Sequence, residues 1–126
     1  MCDTLYSMSD SNQAFASFSG DLIRGHTDTI ILGLLLDGNR YGFEIYKEII
    51  KRSAGQYELK EPTLYTAFRR LEKQGWVESY WGEETQGARR RYYRITPLGR
   101  EIHAQNLLAW EQARKIIEKL LGKEET

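Results

Sequence analysis

Residues 61–101 read EPTLYTAFRRLEKQGWVESYWGEETQGARRRYYRITPLGRE, and this run decides the fold. It opens as a helix. Pro62 suits a first helical turn, where its missing N–H would have no partner anyway. Leu64, Phe68 and Leu71 then recur at i, i+4 and i+7, one stripe facing a core, and Gly75 stops the helix. Trp76 to Trp81 (WVESYW) are residue types that suit a strand. A polar loop, GEETQG from Gly82 to Gly87, turns the chain back, and Arg90 to Ile95 (RRYYRI) form the returning strand. Thr96 and Pro97 start another helix, threonine as N-cap and proline in the first turn, with Glu101 adding charge favoured near an N-terminus.

Working outward, residues 21–36 predict a first helix, densely apolar in Ile30, Ile31, Leu32 and Leu34 to Leu36 and stopped by Asp37-Gly38-Asn39. A second helix begins near Tyr41-Gly42. Phe43, Ile45, Tyr46, Ile49 and Ile50 recur along it, and Ser53-Ala54-Gly55 ends it. The last helix runs to about Leu121, some 37 Å at 1.5 Å per residue, longer than so small a domain covers. The order is helix, helix, helix, hairpin, long helix. The fold class expected is mainly α with a small β-hairpin, a winged helix-turn-helix with a long C-terminal helix. Its divisions are a Ser-rich N-terminal arm (1–20), the winged helix (21–96), the C-terminal helix (97–121) and a tail (122–126).

The composition fits one domain of 126 residues with no net charge. Charge is unevenly spread. Between Lys60 and Arg100 nine basic residues face five acidic ones, enough for one face to meet a polyanion. Cys2 is the only cysteine, so no intrachain disulfide or thiolate cluster can form. No apolar run approaches the ~18 residues needed to span a bilayer. No Lys or Arg precedes Arg24, so a secretory signal is not expected and a cytoplasmic location is. His26 and His103 lie on different helices without other ligands at useful spacing, so neither a metal nor a cofactor is expected, and no enzyme. Gly82 to Gly87 lacks the Lys-Ser/Thr and the strand-to-helix context of a phosphate loop.

The third helix carries the chemistry. With its apolar stripe inward, Thr63, Thr66, Arg69, Arg70 and Lys73 lie on the other faces. Arginine reads guanine in a bidentate way and threonine contacts bases, which suits a recognition helix in a major groove. Taken alone, the same residues are equally a solvated face. The hairpin adds Arg89, Arg90 and Arg91, placed where a ribbon lays basic side chains along phosphates. Arg91 is the one expected to serve within the sheet.

In this order and spacing, the TLY…RLE…G pattern, the RRYYRIT strand, the T-x-x-G helix start and, upstream, ILGLL…G…YGFEI resemble the PadR family over residues 24–121. With one helix after the wing, the chain is similar to the small subgroup and its multidrug-sensing repressors. The resemblance implies a homodimer joined through the C-terminal helix, repressing genes for efflux, detoxification or stress from an inverted-repeat operator in double-stranded DNA. It implies DNA contacts from Tyr41, Thr63, Tyr65, Thr66 and Arg69 and from the wing at Gln86, Gly87, Arg89 and Arg90; Lys60 and Arg70, basic residues of the same segment, are expected to join them. Glu61-Pro62 departs from the glycine common before the helix, and Pro62 has no N–H to offer a phosphate.

The last helix has two apolar stripes where a lone amphipathic helix needs one, which suggests a partner. Ile102, Ala109, Ala113, Ile116 and Leu120 form the first; Leu107, Trp110, Ile117 and Leu121 form the second. The expected dimer interface is Ile102, Ala109, Ala113, Ile116, Ile117 and Leu120. By resemblance, Leu107, Trp110 and Arg114 border a central pore that takes planar aromatic ligands; on periodicity alone Trp110 is core. Arg114 departs from the acid that similar members carry there. The reading from another class is a winged-helix adaptor that docks proteins and has no operator.

Overall fold

The computed structural model describes residues 19–83 and 89–122. Helical turns over 19–24 are followed by α1 (Thr27–Leu34), β1 (Arg40–Tyr41), α2 (Gly42–Arg52), α3 (Glu61–Lys73), β2 (Val77–Trp81), β3 (Arg91–Ile95) and α4 (Pro97–Leu120). The molecule is mostly helical, with a small antiparallel sheet in the order β1-β3-β2.

The first helix differs from the expected single run over 21–36. It breaks at Gly25-His26, where the His26 N–H donates to the Ile23 carbonyl (2.8 Å) and the Thr27 hydroxyl to the Arg24 carbonyl (2.8 Å). A hydroxyl that bonds backward to a backbone carbonyl competes with the helix ladder, and this one stands where α1 begins. The apolar run that follows is buried at Ile31, Leu32, Leu34 and Leu35. The sheet also exceeds expectation. Beyond the hairpin it includes β1, whose Arg40 and Tyr41 pair with Tyr93 and Tyr92 of β3.

Specific contacts mark the start of α2, the end of α3 and the start of α4. The Tyr41 N–H donates to the Glu44 carboxylate (3.0 Å) at the head of α2. At the end of α3 the Trp76 N–H reaches the Leu71 carbonyl (3.0 Å) and the Gly75 N–H the Glu72 carbonyl (3.0 Å). That closing pair requires a left-handed residue, and Gly75 supplies it at φ +79°. Thr96 caps α4, accepting the Gly99 N–H (3.0 Å) while its hydroxyl donates to the Gly75 carbonyl (2.7 Å).

Leu64, Phe68 and Leu71 of α3 are fully buried as their spacing demands, joined by Ala67. Phe68 sits at the centre, its ring 4.1 Å from that of Tyr93 on β3. This sheet residue clamps the wing to the third helix. α4 crosses α1, tied by Asn106 to Thr29 (3.0 Å) and by the edge of His26 against Trp110 (5.0 Å between centroids). Ile102, expected in the dimer seam, is partly buried against the chain's own core. It lies in the first turns of α4, which still run over the domain. Farther along, Ile116, Ile117 and Leu120 are exposed.

Candidate nucleic-acid interface

A groove of about 670 Å³ opens between the head of α2, the outer face of α3 and the wing. Its walls include Tyr41, Phe43, Tyr65, Arg69, Trp81, Arg89, Arg90 and Arg91, with Glu72 and Tyr93 at its base, so four arginines face one carboxylate. Register sorts the tyrosines of the sheet between its two faces. Tyr41, Tyr92 and Tyr80 lie side by side across β1, β3 and β2, and alternation along β3 sends the neighbouring Tyr93 to the core. Burial pushes the Tyr93 phenol above its ordinary pKa.

The arginines divide into two groups. Arg70 pairs with Asp28 of α1, Arg91 with Glu72 (3.4 Å) and Arg94 with Glu78 (3.2 Å). Arg69, Arg89 and Arg90 have no carboxylate partner among the described residues. Arg69 instead donates to the Thr66 hydroxyl (3.3 Å), which itself donates to the Pro62 carbonyl (2.9 Å). Arg90 lies over the Tyr41 ring (4.7 Å) and Arg89 over the Trp81 ring (5.4 Å). Unpaired guanidiniums resting on aromatic rings at the edge of a groove present charge outward, as a phosphate-binding surface requires.

Of the expected DNA-contacting residues, Tyr41, Tyr65, Arg69, Arg89 and Arg90 share this groove. Thr63 and Thr66 are exposed on α3. Lys60 stands outside it, beside a hollow at the head of α3 that it shares with Phe43, Tyr46 and Glu58. Gln86 and Gly87 lie outside the described residues. Arg70 requires a correction, for it turns away toward α1 and its charge is met by Asp28, so it holds two helices together. Arg91 serves within the sheet as expected, donating to the Ser79 hydroxyl (2.8 Å).

Phe43 is a groove residue that the sequence reading missed, and Trp81 one that sequence alone favours as packing over a stacking platform for single strands. Phe43 was assigned to the apolar stripe of α2, yet it lies about 200° around the helix from Ile45 and is exposed. A helical wheel centred on buried Ile45 and Ile49 would have found it. Gly42 next to it lies close under Tyr65: a Cβ there would stand 2.6 Å from the hydroxyl, the far end of an exposed side chain that can move aside.

Trp110 stands between two hollows at the α1–α4 contact. One, about 420 Å³, is lined by His26, Ile30, His103 and Leu107 among others, bringing together the two histidines that the sequence keeps apart. The other, about 350 Å³, is edged by Gly25, Ala109 and Ala113. Arg114 is bracketed by Glu111 (3.1 Å) and Glu118 (3.2 Å), so acid stands beside it after all. Among the described residues no group of three or more His, Cys, Asp or Glu side chains could hold a metal ion. No helix among them is long and apolar enough to cross a membrane.

A helix-turn-helix whose second helix shares a basic groove with a β-ribbon defines a winged-helix protein of the DNA-binding class. The chain belongs to the PadR-like family of transcriptional regulators, which matches residues 31–105. A transcriptional regulator from Clostridium thermocellum is 52% identical, with a TM-score of 0.73 over 79% of this chain and 93% of that one. A PadR family transcription regulator from Clostridium difficile is 30% identical, with a TM-score of 0.68 over 76% of this chain and 98% of that one. Bacillus subtilis PadR, solved in complex with operator DNA, shares the fold at 23% identity and a TM-score of 0.57, over 64% of this chain and 45% of that one. The family and these structures are transcriptional regulators, not enzymes.

Proposed function

We propose that the chain is a cytoplasmic repressor that binds an inverted-repeat operator as a homodimer and controls efflux, detoxification or stress genes. The observation that carries this is the set of three groove arginines, Arg69, Arg89 and Arg90, that no described carboxylate neutralises. In this reading α3 enters the major groove, with Arg69 on a base edge. Thr66, its hydroxyl already used, offers a methyl for thymine. Arg89 and Arg90 follow the phosphates, and α4 joins the two copies.

Arg69→Ala should then weaken a specific site by about 1–3 kcal/mol and relax sequence preference there. Arg90→Ala should weaken all duplexes alike and lower the salt slope by about one. Arg70→Ala, which removes only the tie to Asp28, should leave duplex affinity near that of the parent. Footprinting should show two half-sites about one helical turn apart. Equal duplex binding by parent, Arg69→Ala and Arg90→Ala would remove the groove from operator recognition and favour the protein-docking adaptor.

A planar aromatic ligand beside Trp110 is the proposed release signal. It acts only through different affinities for the two arrangements of the dimer. Trp110 already meets His26 at its edge and borders space on two sides, which supports ligand access. Stacking adds about 0.5–1.5 kcal/mol per indole beyond buried area. Trp110→Ala should therefore weaken planar dyes by roughly five- to a hundredfold in calorimetry when both indoles take part. A dimeric Trp110→Ala protein that holds every such dye as tightly as the parent would return Trp110 to ordinary core.

A further inference from the structure

Trp81 ends β2 opposite Arg91 and is 54% exposed. An indole left half in water gives up much of the stabilisation that burial would bring, so packing does not account for it. Its neighbours suggest another use. Two guanidinium carbons stand over the ring, that of Arg91 at 5.8 Å and that of Arg89 at 5.4 Å. Arg91 is fixed from below, since its Nη2 donates to the Ser79 hydroxyl (2.8 Å) and reaches a Glu72 oxygen (3.4 Å). The Ser79 hydroxyl in turn donates to that same Glu72 oxygen. A continuous chain of contacts thus runs from α3 through Glu72, Arg91 and Trp81 to Arg89.

We propose that Trp81 is a positioning residue, the platform that presents Arg89 to the phosphate backbone of a bound duplex. This deepens the operator reading and rests on it. A ring attracts a guanidinium through its π face and uses none of the N–H donors, so they remain available to phosphate oxygens. Holding the long side chain in place beforehand removes part of the ordering cost that binding would otherwise carry. Arg90 has a separate platform in Tyr41 of β1, so its contribution is independent of Trp81.

The test is a double-mutant cycle on the full chain, read as affinity for a mixed-sequence duplex at two salt concentrations. Trp81→Ala should weaken binding roughly three- to tenfold. Adding Trp81→Ala to Arg89→Ala should then change little, whereas adding it to Arg90→Ala should exact its full effect. Trp81→Phe, which keeps a π face, should restore most of the affinity; Trp81→Leu, which keeps only apolar bulk, should not. The last comparison also serves if Trp81→Ala fails to fold. Independent effects of Trp81→Ala and Arg89→Ala, or equal binding by the Phe and Leu variants, would overturn the platform. If Arg69→Ala and Arg90→Ala still weaken binding in that case, the operator surface stands and only the role of Trp81 falls. A parent that ignores duplex overturns both.

Discussion

Gly99→Ala is expected to destabilise the fold by about 3 kcal/mol, the upper end for overpacking a tight site. A Cβ at Gly99 would stand 2.1 Å from the Trp76 carbonyl oxygen and 2.8 Å from Cγ1 of Ile95. The isoleucine can rotate; the carbonyl cannot readily move. That oxygen accepts the Thr96 N–H (3.0 Å), the contact that joins the chain leaving α3 to the cap of α4. To admit one methyl group, α4 must lift away from β2 and weaken its own cap. Urea denaturation should show a lower midpoint with an unchanged slope. Gly38, where an added Cβ meets nothing within 4 Å and φ is not positive, provides the control. Gly38→Ala should fall within about 0.5 kcal/mol of the parent. A parental midpoint for Gly99→Ala would mean that α4 accommodates the added methyl group by a shift that costs little.

The T-x-x-G pattern shows how far a sequence can be read. Thr96 as N-cap was legible, because capping follows local rules, and the bond to Gly99 bears this out. The need for glycine three residues later was visible only as a family pattern. Its cause, the Trp76 carbonyl, depends on how the helix crosses the strand. The same division holds elsewhere. Leu64, Phe68 and Leu71 were legible as core because one stripe at helical spacing has one use. The break at Gly25-His26 was hidden by continuous apolar density, and β1 was too short to show any periodicity. In the candidate site, the arginines of α3 and the wing were legible as a basic surface, but not which of them keep their charge exposed. Arg69 and Arg70 are adjacent in sequence. Only the folded chain brings Asp28, 42 residues away, to one and not the other.

Replacing Ile116 and Leu120 together by aspartate is expected to leave monomers at micromolar concentration. Both side chains are exposed, Leu120 at 79%, on the part of α4 that has passed the domain's own core. The ion pairs of Arg114 with Glu111 and Glu118 run along the same helix at i, i+3 and i, i+4, so they support that helix without covering its apolar side. A ridge of this kind marks an association surface, and a second copy is the proposed occupant. A micromolar dimer rests on about 8 kcal/mol. Each apolar side chain withdrawn from a seam forfeits about 1.5–3 kcal/mol, and each aspartate left there unpaired adds a further desolvation cost. Two-fold symmetry doubles both effects, so together they exceed what holds the dimer. Sedimentation should show the monomer mass while circular dichroism retains the helix content. Affinity for a two-half-site duplex should fall far more than affinity for a single half-site, because the second site is then no longer tethered to the first. A variant that sediments as an intact dimer would place the seam on another face and leave the exposed end of α4 for a different partner.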